Sequence, residues 1–581
     1  MRRLGLFLTF AAAAGLVGCN KRPAKEPIRV LRVSMAQKPS SLDPARSGDA
    51  VSSAMSALAY EGLFKYHYLK RPYRLEPLLA DGLPTWSADR RTLLVKIRRG
   101  VLFHDDPCFN EAGGRGREMT AEDVAYSLRR LADPRIASPG WWILQGRIEG
   151  LDAWRTRSAQ ETRKPDYTVP VEGLQVTGRY TLKITLVRPY PRFLHGLASP
   201  YAAVVAREAV EKYGEDFGSN PVGTGPFVLD RSASLAGARW IWLRNHAYDH
   251  DRYPSEGDRE DHAHRLQDAD RPLPLVDRLE VELIPDSTKA QARFQTGELD
   301  VWSPSSGAPD VGEVKGQTLH RERSLATEVV GLVFNLRKQG VLKNRMLRQA
   351  IARALDRERF ISLFYSGAAE VQVGPVPPGL EGGESMPRDL GSAELGFDLV
   401  AARKLVRKAG YPGGIGLGEL EFIVPPEGAY PRMADFIKDS LSLAGIPVKI
   451  SPLGSWEEFL TAVRKGQGDL WISAWSADFP DAENFLQIHS GTGVTNESGF
   501  HDPAYDQFFE QASGLTNGPG RDALNSKMAR ILVDQVPWAW MLRRYRVWLA
   551  QPWVGNLKVH EYEPAPWKYL RVDLGKDGKK E

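Results

Sequence analysis

The amino-acid sequence predicts an α/β protein that folds into more than one lobe. Its 581 residues exceed what one hydrophobic core usually contains, so two or three lobes are expected. Apolar residues alternate with a period of two in some segments and recur at helical spacing in others, and no internal repeat is visible. Between residues 420 and 475, strand, helix, strand, helix and strand follow one another, which is the order of an α/β sheet.

Composition and motifs exclude several classes of function. The 77 basic and 72 acidic residues are spread along the chain without a basic tract, so a nucleic-acid partner is not expected. The sequence contains no GxSxG elbow, HExxH helix, phosphate-binding P-loop or CxxC pair. We therefore expect a protein that is not an enzyme and that holds no cofactor or metal.

The first half of the chain consists of short elements separated by turns. The segment NPVGTGPF at 220–227 is a turn before a strand, because it lacks the ending of a P-loop and Pro226 removes a backbone donor. Apolar spacing and capping residues predict strands at 28–33, 92–98 and 180–187, a helix around Met55 to Tyr60 after a turn at 41–53, and a helix that starts with a capping box of Thr120 and Asp123.

Two polar segments are interpreted as surface decoration. Residues 104–118 contain Cys108 and a Gly-rich tail, and residues 246–272 contain four histidines and few apolar residues. Either segment could instead shape a cleft mouth. The spacing of the histidines fits no metal-binding pattern, so a metal site is not expected there. They are His246, His250, His262 and His264.

The second half contains clearer helices and a distinctive final strand. Asn344 and Asp398 are expected to cap helices. The alternating segment has predicted strands at 420–424, 448–451 and 469–475, with helices through 433–441 and 456–463 between them.

Asp478 follows the last of these strands, where Pro480 prevents further pairing. Ligands bind beyond the carboxyl ends of strands in such sheets, so Asp478 is a candidate binding residue. Asp is also a common cap residue at such junctions, and the residue pattern by itself favours the cap. Both interpretations stay open at this point.

The N-terminus has the layout of a secretory signal. Arg2 and Arg3 precede an apolar run, and LVGC at 16–19 resembles the bacterial lipobox. This resemblance implies a signal peptide at 1–18, a lipid on Cys19 and a tether at 20–27, with the rest of the chain outside the cytoplasm. A weak transmembrane anchor would give the same topology. Once Cys19 is lipidated, Cys108 has no partner for an intramolecular disulfide.

Several segments in order resemble the bacterial family 5 solute-binding proteins, the peptide-binding receptors of ABC importers. They are SLDPA at 41–45, 77–131 with KIRRGVLFHDD and MTAEDVAYSLRRL, NPVGTGPF at 220–227, FQTGELDV at 294–301, GLVFNLR at 331–337, LRQAIARALDRERF at 347–360, LVRKAGYPGG at 405–414 and DLWISAWSADFPDAENFL at 469–486. Each motif is modest, but the ordered set is specific and spans nearly the whole mature chain.

The resemblance implies an α/β bilobal periplasmic-binding-protein fold of the Venus-flytrap, class II-like type with an extra third domain. The lobes would close over a ligand at a hinge. The implied segments are domain I at 28–65, 201–325 and 526–581, domain II at 66–200, and domain III at 326–525.

The resemblance also implies the binding residues and the partners. The strand end AWSADF would pair with a peptide backbone, Asp478 would hold the α-ammonium, and Trp475 and Phe479 would shield that pair. The first lobe would contact the ligand near Asp49. The full expected set is Asp478, Trp475, Ala474, Ser476, Ala477, Phe479, Asp49 and Ala50.

We expect a monomeric, lipid-anchored periplasmic receptor that delivers peptides to ABC permease subunits. Some oligopeptide-binding relatives carry an arginine where this chain has Ile472, so the ligand length stays open. A receptor for an oligosaccharide, an opine or a chelated metal is the alternative, and a secreted enzyme or a structural lipoprotein is a weaker one.

Overall fold

The structure is a computed structural model, and it describes residues 28–160, 165–235, 237–304, 313–314, 317–491, 493 and 495–575. The predicted signal peptide at 1–18, the lipidated Cys19 and the tether at 20–27 lie outside the described residues. No helix in the described part of the chain has both the length and the apolar character that a membrane span requires.

The strands occur along the whole described chain. They are β1 (Val30–Met35), β2 (Phe64–Tyr66), β3 (Leu75–Pro77), β4 (Thr85–Trp86), β5 (Thr92–Lys96), β6 (Leu174–Gly178), β7 (Thr181–Thr185), β8 (Phe227–Leu229), β9 (Arg239–Arg244), β10 (Arg278–Leu283), β11 (Val301–Trp302), β12 (Glu313–Val314), β13 (Gln317–Thr318), β14 (His320–Leu325), β15 (Glu328–Phe334), β16 (Ala369–Val371), β17 (Leu420–Val424), β18 (Val448–Pro452), β19 (Leu470–Ser476), β20 (Trp538–Ala550), β21 (Val554–Gly555) and β22 (Arg571–Val572).

The α-helices are concentrated in the second half. They are α1 (Ala50–Ser56), α2 (Ala121–Ala132), α3 (Leu151–Gln160), α4 (Phe193–Leu197), α5 (Arg207–Tyr213), α6 (Ser287–Gln295), α7 (Arg345–Ala354), α8 (Arg357–Tyr365), α9 (Ser392–Leu395), α10 (Leu399–Lys408), α11 (Tyr430–Leu443), α12 (Trp456–Arg464), α13 (Glu483–Leu486), α14 (Pro503–Gly514) and α15 (Pro519–Gln535).

Two large hydrophobic cores divide the molecule. One core is built from residues between Leu31 and Val301 together with residues from Ala550 to Val572, and we call this part the first lobe. The other core is built from residues between Val329 and Leu542, and we call it the second lobe. Each core buries a continuous set of apolar side chains, so each lobe has its own source of hydrophobic stabilisation.

One mixed sheet runs through both lobes. Its strand order is β18-β17-β19-β15-β20-β11-β1-β10-β9-β8, with β14 and β16 also paired to β20. The long strand β20 pairs with β15 through its first residues and with β14 through its last, antiparallel in both cases. The chain therefore passes between the lobes along β14 and β15 and again along β20. We call these three strands the hinge strands.

Most elements predicted from apolar spacing are confirmed. Strand β17 has the predicted bounds, and β5, β7, β18 and β19 lie within two residues of theirs at each end. Thr120 and Asp123 form the predicted capping box of α2. Asn344 and Asp398 cap α7 and α10 through their side chains.

The helix predicted around Met55 to Tyr60 is placed wrongly. Helix α1 begins at Ala50, earlier than predicted, because the Asp49 side chain caps it there by accepting a hydrogen bond from Ser52 N. The helix ends at Ser56. The predicted turn therefore ends before Ala50, and its last residues are the first turn of the helix.

The two polar segments are not simply surface decoration, which corrects that prediction. In 246–272, Tyr248 and Tyr253 are buried and the Asp261 carboxylate accepts a 2.8 Å hydrogen bond from Lys558 Nζ. In 104–118, His104 and Cys108 are buried. Neither segment lines the cleft described below. The polar residues of these two segments can be buried because distant parts of the chain supply their hydrogen-bond partners.

Candidate functional site

A cavity of about 680 Å³ lies where the two lobes meet, beside the hinge strands. Its walls come from both lobes and from the C-terminal segment after β20. The wall includes Asp49 and Tyr201 from the first lobe, Asp478 from the second lobe, Arg546 and Trp548 from β20, and Glu561 and Trp567 from the C-terminal segment.

Strand β19 places Asp478 in this cavity. The strand pairs with β15 as far as Ser476, which lies opposite Glu328. Ala477 N then donates to Thr327 O at 2.9 Å, so the backbone stays beside the hinge for one more residue. Because β19 leads away from a buried sheet, the next side chain projects from its carboxyl end, as predicted.

The Asp478 carboxylate is accessible from the cavity and has few partners. Its one side-chain contact among the described residues is a long 3.5 Å hydrogen bond from Asn484 Nδ2, and Asn484 Oδ1 in turn accepts from Asp478 N and from Trp475 Nε1. Desolvation by the surrounding protein raises the pKa of Asp478 to about 6. A cation placed beside this carboxylate would stabilise its charged form, which the surrounding protein disfavours.

The alternative in which Asp478 caps the next helix is wrong. Helix α13 begins at Glu483, its N-cap position is Ala482, and no side chain caps it. Asp478 lies four residues before that position.

Asp49 and Ala50 form part of the opposite wall. The Asp49 carboxylate accepts from Ser52 N at 2.8 Å, Ser52 Oγ at 2.7 Å and Ser40 Oγ at 2.8 Å. These hydrogen bonds outweigh burial and lower the pKa of Asp49. Tyr201 lines the same cavity, and burial together with the charges of Asp478 and Asp49 raises its pKa.

The structure brings four of the eight expected site residues to the cavity, namely Asp49, Ala50, Ala477 and Asp478. Ala474, Trp475 and Ser476 lie on β19 outside the cavity wall. Phe479 is buried behind it, where its ring stacks on His195 at 5.3 Å. The roles expected for these four residues stay predictions.

Several cavity residues were missed by the sequence analysis. Arg546 and Trp548 lie on β20, and Tyr562 and Trp567 follow it. The density of aromatic residues in YRVWLA and EYEPAPW was a usable signal. Aromatic residues are common in ligand sites, but they are as common in cores, so the signal did not point to a cleft by itself.

A quartet of charged groups lies at the hinge. Arg544 donates to Glu328 from Nε at 2.6 Å and from Nη2 at 2.7 Å. Arg546 approaches Glu328 at 4.0 Å and Glu561 at 3.8 Å. We call Glu328, Arg544, Arg546 and Glu561 the hinge quartet, and its formal charge is zero.

A second polar cluster joins the lobes away from the hinge. Arg192, which precedes α4 of the first lobe, is buried and donates from Nε to Glu483 of the second lobe at 3.0 Å. It also donates to the carbonyl oxygens of Ala512, Ser513 and Leu515 at the end of α14. These contacts join the two lobes through buried groups.

Two other features were considered as sites. A larger hollow of about 870 Å³ in the first lobe includes the buried Asp43–Arg130 pair, and it does not reach Asp478. Within the described ranges, His195, Glu381 and Asp481 are the group of residues that could hold a metal ion. Asp481 is already paired through both oxygens with Arg521, so this group has little charge left for a cation. The histidines of 246–272 form no such group in the described chain.

Comparisons with known proteins identify the family. The sequence profile described as bacterial extracellular solute-binding proteins, family 5 Middle, matches residues 74–497. The chain is 27% identical to heme-binding protein A of Haemophilus influenzae, with 87% of this chain and 85% of that protein covered. It is 24% identical to di/tripeptide-binding protein 2 of Pseudomonas aeruginosa, with 92% and 91% covered.

A solved structure shows the same fold. The periplasmic binding protein DppA from Helicobacter pylori, in complex with peptide STSA, superimposes with a TM-score of 0.68 at 22% identity. The alignment covers 94% of this chain and 98% of that one. The predicted periplasmic-binding-protein fold is therefore confirmed. The chain belongs to the bacterial extracellular solute-binding proteins of family 5, a class of binding receptors rather than enzymes.

Proposed function

We propose that this receptor captures peptides in the cleft between its lobes and that Asp478 holds the α-ammonium of the peptide. The observation that carries the proposal is the Asp478 carboxylate. It lines the cavity, the surrounding protein raises its pKa to about 6, and it has no basic partner among the described residues. An ammonium enclosed beside it would form a strong pair, because water is excluded when the lobes close.

The edge of β19 supports a peptide rather than another cation. On the side away from β15, β19 pairs with β17 only through Leu470 and Phe422. Within the described part of the chain, the last residues of β19 pair with no strand on that side. An extended peptide can use such an edge with little dependence on its side chains.

The ligands named for the relatives include peptides and haem. One relative is a di/tripeptide-binding protein, and the Helicobacter pylori structure contains a bound peptide. Haem carries two carboxylates, and two unpaired acids in the cleft oppose an anionic ligand. The acidic cleft therefore favours the peptide, and haem is a competing outcome that the experiment must exclude.

The proposal includes the location and the partners. Cys19 would carry the lipid, the chain would act as a monomer in the periplasm, and ABC permease subunits would receive the ligand. The domain boundaries implied by the resemblance belong to the same proposal. Mass spectrometry of the N-terminal peptide tests the anchor, because only an acylated Cys19 adds the mass of the lipid, and Cys19→Ser removes it.

Two measurements test the ligand. Mass spectrometry of material released on denaturation should show a set of mixed peptides, and a single non-peptide compound would overturn the proposal. In calorimetry with a tripeptide, Asp478→Asn should lose roughly 3 to 5 kcal/mol of binding free energy. The control is Asp439→Asn, an exposed acid on α11 of the same lobe, which should leave the affinity unchanged. Equal affinity of the Asp478→Asn variant and the wild type would reject the anchor.

A further inference from the structure

The charges around the cavity do not balance. The hinge quartet contributes two arginines and two glutamates, so its formal charge is zero. Arg546 is the single lysine or arginine of the described chain that lines the cavity, and it belongs to this quartet. Two carboxylates, Asp49 and Asp478, remain without a basic partner. One terminal ammonium neutralises only one of them.

Asp49 is fixed in its position and stays ionised. Three hydrogen bonds from Ser40 and Ser52 orient its carboxylate, and donors of this kind favour the charged form. Capping α1 explains the hydrogen bond from Ser52 N, but it does not require a charge, because asparagine caps a helix as well as aspartate. The amino end of α1 also favours a negative charge at this position, and because Asp49 lines the cavity, the same carboxylate can accept a cation from a ligand.

The wall beside these acids is aromatic. The half-buried rings of Tyr201, Trp548 and Trp567 line the same cavity as the two carboxylates. The faces of aromatic rings attract cations, and the attraction is larger where water is excluded. An apolar ligand would use the rings but would leave Asp49 unpaired.

We propose that the cleft selects peptides that carry a second positive charge, a lysine or arginine side chain, and that Asp49 is the residue that pairs with it. This inference rests on the proposed peptide-binding function. Asp478 fixes the end of the peptide, Asp49 binds the basic side chain from the first lobe, and the aromatic wall packs against its methylene groups and charge. Each lobe then supplies one acid to the same ligand.

Calorimetry with a matched peptide panel tests this inference. The probes are the three tripeptides of alanine with one lysine at the first, second or third position, and the same three with norleucine in place of lysine. Lysine and norleucine have similar length, so their comparison isolates the charge. In at least one position the lysine peptide should bind about three- to fivefold more tightly, which is the range of a partly exposed ion pair.

The variant Asp49→Asn retains the helix cap and removes the charge. It should bring the lysine-to-norleucine ratio close to one. The control is Asp286→Asn, which changes the N-cap of α6 in the same lobe outside the cavity wall and should keep the wild-type ratio.

The outcomes separate this inference from the proposed function. If all six peptides bind but lysine gives no advantage, or if Asp49→Asn keeps the advantage, the role of Asp49 is overturned and peptide capture stands. If none of the six peptides binds, peptide capture itself fails. A glutamate-containing tripeptide that binds as tightly as the best lysine peptide would also overturn the inference.

Discussion

At the scale of single residues, the charged form of Asp478 is destabilised by its surroundings. Desolvation raises the pKa of this carboxyl from 3.8 to about 6 in the chain without ligand. The folded state therefore holds the proton more tightly than the unfolded state does. The contribution to stability is present at low pH and is lost as the pH rises through about 6.

This linkage predicts the thermal stability of Asp478→Asn without ligand. At pH 7.5 the variant should melt at a higher temperature than the wild type, because it removes a desolvated charge. At pH 4 the two proteins should melt together. Differential scanning calorimetry after removal of bound ligand measures both points, with Asp439→Asn as the control. A lower melting temperature at pH 7.5 would give Asp478 a structural role instead.

The same titration predicts how peptide affinity depends on pH. Both the carboxylate and an α-ammonium with a pKa of about 8 are charged between pH 6 and 8, so the affinity should be highest there. Below pH 6 each unit of pH should weaken binding by up to about tenfold, because the carboxyl must first lose its proton. Calorimetry from pH 4.5 to 7.5 measures this slope. Asp478→Asn should show a flat profile, and a flat wild-type profile would contradict the assignment.

The sequence could locate Asp478 but not its surroundings. Its position follows from a local pattern, an apolar strand that Pro480 ends. Tyr201 reaches the same cavity from 277 residues before Asp478, and Arg546 and Trp567 from 68 and 89 residues after it, so no local pattern carries that information. The expectation at Asp49 came from the family resemblance, and the structure places Asp49 on the wall of the same cavity.

At the scale of elements, local periodicity was informative where one face of an element is buried. Strand β17 and helices α7 and α10 could be predicted because their apolar spacing and caps are local properties. The segment 246–272 could not, because Asp261 is buried by a bond to Lys558, which lies 297 residues away. When the partner of a charged residue lies far away along the chain, the sequence does not distinguish that buried residue from a solvent-exposed one.

Glu328 on β15 and Arg544 on β20 form an ion pair between the hinge strands. Its carboxylate is fully buried and accepts from Arg544 N, Nε and Nη2 at 3.0, 2.6 and 2.7 Å. Burial by itself would raise the pKa of Glu328, but the hydrogen bonds and charge of Arg544 outweigh it and lower the pKa. Glu328→Gln should therefore reduce the free energy of unfolding by about 1.5 to 3 kcal/mol at pH 7.

Urea unfolding at pH 7 measures this loss. The control is Glu211→Gln on helix α5, where the carboxylate and its partner Arg207 are both exposed and lie 2.6 Å apart. An exposed pair of this kind should contribute less than about 1 kcal/mol. If both variants lose the same free energy of unfolding, the Glu328–Arg544 pair stabilises the fold no more than an exposed pair does.

At the scale of the whole molecule, the lobes are joined by the hinge strands and by contacts across the cleft. The hinge strands join them through the chain itself, and Arg192 joins them through Glu483 and the end of α14. Because Arg192 is buried among acceptors of the second lobe, opening the cleft must expose its guanidinium and Glu483 together. The contact therefore favours the arrangement in which the lobes lie together.

Arg192→Ala should shift the molecule toward the open arrangement. Small-angle X-ray scattering at saturating peptide should give a larger radius of gyration for the variant than for the wild type. The variant should also bind the peptide about tenfold more weakly, since part of the binding free energy must now close the lobes. Arg188→Ala is a matched control, because Arg188 also reaches the second lobe, at Glu510, but through an exposed pair of 3.5 Å. If Arg192→Ala leaves both the radius and the affinity as in Arg188→Ala, the buried contact does not hold the lobes closed.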